Sequence, residues 1–532
     1  SYYLYNHSRS ADGWRENSEY SVRNSHAFVE YRFNDKTKIN AEYTNMDYEM
    51  KQPGGLTDEQ FMQNSQQSFR NRNWFGTPWN LFSIQFDTKV NANLTSNTKV
   101  FGLIGQRNSI GFIATPNTVD EINLTTNNYS NRRVDRDYYK NFGIENRNIL
   151  RYNFGKNSHN LAFGARLYKA TTKRQQEGKG TTGNDFNLYV NGSFPRDLDF
   201  VTQNVAIFAE NQFRLTEKFS VTPGLRLEHI NSIGQGLFGI INGNNIALPE
   251  KKLIRNKALF GLGMEYKFAK TNVYANITQA YRPVLFSDLT PSAVTDVIDP
   301  NLKDASGFNA DIGFRGSVNN YLNFDFSLFY LNYNNRIGGI RQFTNNDSNQ
   351  GTYLFRTNLG ETVNKGIEGF VNLNVTRLFE IEKPYGDLDF FATISFIDSR
   401  YKDFKTNTTS VTNVNLDGNR VENAPRYIHN FGLSWGNNNI SATMQYKMSG
   451  RSFTDASNTN SPDAKGVTGM LNDYRVFDLS TEYKFFQNYN FKAGINNIFN
   501  EKYATRRSTG YPGPGILPGE STTFYISIGA KI

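Results

Sequence analysis

Side chains able to do covalent chemistry or hold a metal are few in this chain. Cysteine is absent and there are five histidines. Without cysteine, disulfides and thiolate metal sites are excluded. His229 alone among the histidines stands beside a carboxylate, in the run Leu-Glu-His, and nothing near it completes a nucleophilic triad, a phosphate loop or a metal-ligand spacing. No catalytic constellation, cofactor or nucleic-acid partner is implied. Asn and Asp crowd the polar stretches, where turn chemistry accounts for them; calcium sites are a secondary reading. Charge is what remains in quantity. The chain has 58 basic and 49 acidic residues, a net +9. That excess is either ordinary surface charge or a cationic funnel for an anionic ligand, depending on where the arginines lie. A guanidinium fork matches a carboxylate bidentately, so polyanion recognition is the chemistry on offer.

The elements that would position these arginines are strands. Thr522 to Ile532 alternates cleanly, with Phe524, Ile526, Ile528, Ala530 and Ile532 on one face and Tyr525, Ser527, Gly529 and Lys531 on the other. Leu322, Phe324, Phe326, Leu328 and Tyr330 oppose Asn323, Asp325 and Ser327, and Phe477, Leu479, Thr481, Tyr483 and Phe485 oppose Asp478, Ser480, Glu482 and Lys484. Further candidates include 26–33, 37–47, 81–88, 98–107, 158–168, 204–214, 218–228, 257–268, 271–281, 308–316, 365–376, 386–398, 428–435, 439–448 and 490–496. Connections alternate between tight turns (34–36, 216–218, 319–321, 436–438) and long polar stretches. The long ones are 48–80, 108–135, 169–203, 229–254, 282–307, 334–364, 399–427, 449–474 and 497–521. Period-2 alternation, alternating turn lengths and a final strand with nothing after it predict an all-β fold: one large antiparallel transmembrane barrel over 1–532, of roughly 20 strands. The apolar faces of 322–330 and 475–485 are expected to point outward, with aromatic girdles at both interfaces. The mean hydropathy of −0.60 agrees, because half of each barrel strand faces water.

GINNIFNEKYATRRSTG and PGESTTFYISIGAKI at the C-terminal end resemble the close of TonB-dependent outer-membrane receptors, a "NIFD–Y" segment, a loop and an aromatic-rich last strand. YRPVLFSDLTP (281–291) and NLGETVNKGIEGF (358–370) resemble segments of the same family. SRSADGWRENSE (8–19), QPGGLT (52–57) and VTPGLRLEHINS (221–232) are similar to its ferric citrate receptors in order and spacing. The resemblance spans essentially the whole chain. It implies a barrel of about 22 strands around an N-terminal plug, with this chain entering near the third strand. The plug, the segment that meets the energy-coupling TonB protein and the first two strands are expected to lie outside it. It further implies a Gram-negative outer membrane as the location, membrane lipid and a small ferric chelate as partners, a surface lipoprotein as an optional one, and active import rather than catalysis. Iron is then cargo, not cofactor.

The resemblance also implies where a citrate-type chelate would bind. VFGLIGQR supplies Arg107, RDYYKNFGIE supplies Arg136, FPRD supplies Arg196, and NYNNRIGGIRQ supplies Arg341 with Gln342 beside it. These residues are expected to converge at the extracellular mouth of one lumen. STGYPGPGILPG contains no Asn, where those receptors place an asparagine contact. Arg226 is read as a lumen-facing partner of Glu228 or of a plug carboxylate. Trp14 and Arg15 are read as barrel-wall or plug-docking residues, and Pro53-Gly54-Gly55 as a turn. The rival readings are a sibling receptor for another siderophore or an oligosaccharide, a passive or structural barrel subunit, and a soluble β-rich adhesin.

Overall fold

The computed structural model describes residues 1–241, 243–289, 297–343, 352–381, 386–404, 415–486, 488–508, 510 and 513–531. Twenty-one strands join in one sheet, a long meander in which chain neighbours pair antiparallel. It runs from Tyr2–Ala11 against Tyr20–Asn34 to Tyr489–Asn496 against Thr523–Ala530. A twisted sheet of this size curls into a large barrel. Among the described residues, Tyr2–Ala11 and Thr523–Ala530 each have a ladder on one side only. The helices described are short, of six, four and four residues, and none is long and apolar enough to cross a membrane.

Alternation sets the two faces. Phe326 pairs with Phe314 and Leu328 with Ile312, and all four are exposed. They form a continuous apolar band on the outside, with polar residues turned to the lumen. At the tight-turn rim this band ends in aromatics in contact, Tyr31 with Phe33 at 5.0 Å, Tyr266 with Phe268 at 5.1 Å and Phe485 with Tyr489 at 5.6 Å. The wall holds little conventional core. The two hydrophobic clusters described lie in the long connections instead, one built from Leu56, Phe61, Leu471, Ala504 and Ile516, the other from Tyr401, Leu416 and Val421.

Three sequence expectations need correction. The stretch 229–254, expected as a loop, continues the hairpin of Phe219–Ile241 with Asn244–Lys267, paired to Ile241↔Asn244. Its Gly-rich composition reads as loop, but bulges at Gly234/Gly236 and Leu237/Gly239 absorb the irregularity without ending the ladder. The strand Arg133–Phe154 is absent from the candidates above. Arg136 and Lys140 share a face with Phe142 and Ile144, which hides the alternation. The connection 334–364 also contains a hairpin, Ile337–Phe343 with Thr352–Asn358.

Candidate functional site

Four neighbouring strands, Leu94–Gly111, Arg133–Phe154, Asn157–Lys179 and Arg196–Arg214, run past the membrane band towards the long connections. Their register aligns charge across the sheet. Arg107 is opposite Asp137, and Asp137 is opposite Arg174. Since Arg107 and Asp137 fall on the face opposite the exposed Ile104, Phe142 and Ile144, the row looks into the lumen.

Asp137 is 2% exposed and is the hub of this row. Arg174 donates to it through Nε at 2.9 Å and Nη2 at 3.3 Å, and the Tyr139 hydroxyl donates at 3.2 Å. Arg107 Nη1 stands 3.6 Å away, with its guanidinium 5.5 Å from the Phe75 ring. Arg107 remains 34% exposed and Arg174 25%. One buried carboxylate thus serves two guanidiniums that both reach open space.

A second group adjoins the first. Arg133 Nε donates to both Asp135 oxygens, at 2.9 and 3.0 Å. The Glu177 N–H donates to Asp135 at 2.8 Å. Glu177, at φ +66° in a bulged stretch, places its carboxylate 3.9 Å from Arg133 and 3.6 Å from Arg196. Across both groups four guanidiniums face three carboxylates. The remaining positive charge, held in a partly dry wall, favours an anion.

The structure brings together two of the residues named from sequence. Arg107 stands in the row. Arg196 belongs to the second group but is buried, with 7% of its side chain exposed, its Nε donating to the Phe238 carbonyl at 3.1 Å and its guanidinium 5.0 Å from the Phe238 ring. It braces Glu177 rather than facing open space. Arg136 does not join them: it sits on the opposite face of its strand, donating to the Leu188 carbonyl and to the Tyr138 hydroxyl, with Phe194 6.0 Å away. Arg341 and Gln342 lie on Ile337–Phe343, opposite Leu354 and Tyr353; their side chains fall outside the described residues. Asp137, Arg174, Arg133 and Glu177 were missed. Period-2 parity read through RVDRDYY would have put Asp135 and Asp137 on the face away from Arg136.

Other arginines hold the connections together. Arg72 pairs bidentately with Asp120 at 2.6 and 2.8 Å, both buried. Arg132 donates to Asp185 and to the Arg72 carbonyl, and Arg70 to four backbone carbonyls. Arg15 donates to the carbonyls of Gly54 at 3.1 Å and Gln67 at 2.7 Å. Gly55 allows the backbone of 514–515 to approach; a Cβ there would lie 2.3 Å from the Pro514 oxygen. Arg507 pairs bidentately with Asp58 at 2.6 and 2.7 Å. Arg226 donates to Glu228 at 2.6 Å, the first of the two partners expected for it. His229 meets Asn256 at 2.8 Å. Among the described residues no three His, Cys, Asp or Glu side chains come together as a metal site.

A family model described as TonB dependent receptor-like, beta-barrel, matches residues 5–498. Among solved structures, the ferric citrate transporter FecA in its unliganded form superposes with a TM-score of 0.80 at 20% identity, covering 100% of this chain and 73% of that one. The siderophore receptor PiuA from Acinetobacter baumannii gives 0.77 at 14% identity, covering 100% and 77%. The copper transporter OprC gives 0.74 at 14%, covering 100% and 77%. At these identities the likeness is one of fold.

Proposed function

Since this chain belongs to the TonB-dependent receptor-like β-barrel family, we propose that it carries a ferric chelate inward across a Gram-negative outer membrane, with a carboxylate-rich anion of the ferric citrate kind as the preferred cargo. The observation that carries the reading is the row Arg107–Asp137–Arg174. Two partly exposed guanidiniums share one carboxylate, and a guanidinium fork matches a second carboxylate in geometry and charge. An incoming polycarboxylate would meet bidentate forks already fixed by register, which lowers the ordering cost of binding. Arg133 extends the cationic surface. The energy for release would come from TonB, through the part of the receptor that contacts it. No step makes or breaks a covalent bond.

A related receptor for a different anionic chelate is the second reading. Two observations favour it: Arg136 faces away from the row, and 508–519 offers no Asn. Radiolabelled iron supplied to cells that have this receptor as their sole route tests both. Uptake from the citrate complex that requires TonB and exceeds uptake from a neutral hydroxamate complex supports the first reading. Preference for another anionic chelate moves the assignment to the second. Equal uptake with and without TonB would contradict import by this mechanism.

A further inference from the structure

Outside the lumen, the strands Glu361–Asn374, Asp387–Lys402 and Tyr427–Gly436 form a shallow groove of about 480 Å³ on the outer face. Its floor is a cross-strand apolar row, Ile367 opposite Phe396 and Phe396 opposite Tyr427. One step towards the long connections the row turns charged. Lys365 is opposite Asp398, Arg400 follows, and Arg426 lines the same groove. Arg420 pairs with Arg400 across the next bridge.

Depth fits a membrane boundary. A transmembrane β-strand needs about 9–11 residues, and Tyr427–Gly436 has 10, starting from the tight turn at Gly436. Tyr427 therefore completes the span, and Arg426 is the first residue beyond it. His429 stacks on Tyr427 at 5.2 Å and meets Phe396 edge-on at 4.6 Å, the kind of aromatic layer found at membrane interfaces.

Charge is unbalanced at this boundary. Asp398 is engaged by Arg400, whose Nε lies 2.9 and 3.2 Å from its two oxygens. Lys365 and Arg426 are exposed and have no ion-pair partner among the described residues. Burial, followed by the nearby Arg426, Arg400 and Arg451, lowers the Arg420 guanidinium from its ordinary value, with Asp398 opposing. An apolar floor with a cationic ledge above it matches an amphiphile of one chemistry: an acyl chain joined to a phosphate.

We propose that this groove binds a phosphorylated lipid of the surrounding membrane, its phosphate on Lys365, Arg400 and Arg426 and its acyl chain along Ile367 and Phe396. The proposal rests on the barrel spanning a membrane and is independent of the cargo. Native mass spectrometry of the full-length receptor in detergent tests it, with phosphatidic acid, diacylglycerol of the same chains and glycerol 3-phosphate as probes. Phosphatidic acid should be retained and diacylglycerol should not. The double variant Lys365→Ser/Arg426→Ser should weaken phosphatidic acid binding roughly thirtyfold, at about a fivefold effect for each cation near the surface. Lys365→Arg/Arg426→Lys should restore it, and the barrel's heat-modifiable gel shift should be intact in every variant. Arg107→Ala, in the lumen, should leave phosphatidic acid binding unchanged. Equal retention of diacylglycerol, an unaltered affinity in the Ser double variant, or displacement of phosphatidic acid by an equal concentration of glycerol 3-phosphate would overturn the proposal; the last would mark a free-anion site.

Discussion

Arg72 and Arg174 carry the same side chain, and each bonds a carboxylate that is 2% exposed. Their surroundings separate them. Arg72 is fully buried and, among the described residues, is the one cation in an ion pair with Asp120, with its third nitrogen on the Thr182 carbonyl at 3.0 Å. Its donors are spent inside the connections. Arg174 shares Asp137 with Arg107, and both guanidiniums remain partly open to the lumen. The first arrangement fixes polar segments that have no apolar core of their own. The second leaves two guanidiniums partly exposed to a space where an anion can enter. Exposure and stoichiometry, rather than residue type, therefore separate an arginine whose partners are all internal from those proposed to receive the chelate.

The strongest way to break this division is at Arg72. Arg72→Ala leaves Asp120 buried without its partner, a loss of about 3–5 kcal/mol of local stability. Hydrogen exchange in 112–132 and 180–195 should accelerate sharply while the ladders of the barrel wall stay protected. Uniform loss of protection across the wall would show that Arg72 supports the barrel as a whole.

A smaller effect comes from acid. Burial raises the Asp288 carboxyl, but bonds from Arg282, the Leu285 N–H and Arg356 outweigh it and hold the group below the ordinary aspartate value. A depressed folded pKa contributes stability that is fully present above the unfolded value, near ~3.9, and is lost as pH falls through the folded value. Exchange protection around 282–289 should thus be flat from pH 7 to about 4 and decline below that. A decline already complete by pH 5 would contradict the anchoring of this connection by Asp288.

Smallest of all should be Arg136→Ala. Facing away from the row, Arg136 should change chelate affinity by no more than about 2–3-fold, the range of substitutions outside a site. A tenfold loss would move the binding surface to the outer face of this strand and dissolve the contrast with Arg174.

These contrasts were only partly visible in the amino-acid order. Alternation in 322–330 and 475–485 gave the outward faces because both lie within the apolar band, where every second residue must suit lipid. The same rule was available in Arg133–Phe154 but was masked where the strand rises past the band and its outer face turns polar. Similarity by motif pointed to Arg107 and Arg136 alike, since matching letters along a chain says nothing about parity. Arg174 and Glu177 were invisible for another reason. Their partners, Asp137, Asp135 and Arg196, become neighbours through register, including a bulge opposite Val134/Arg136 that composition does not announce. The buried arginines Arg70, Arg72 and Arg132 stand in polar runs that read as solvated loop, and the carbonyls that satisfy them have no sequence signature.

Calorimetric titration of iron(III) dicitrate into the full-length receptor, wild type against Arg107→Ala/Arg174→Gln, tests the wall row most directly. Each charge-assisted contact removed is expected to cost about 1.5–3 kcal/mol, so the double variant should bind at least ~100-fold more weakly. Exchange protection should fall only near 135–139 and 172–176, where Asp137 loses its partners as Asp120 does in Arg72→Ala, and match wild type in the remaining ladders and connections. Unchanged affinity for iron(III) dicitrate, in a protein that binds it, would contradict the assignment of the Arg107–Asp137–Arg174 row as the surface that receives the chelate.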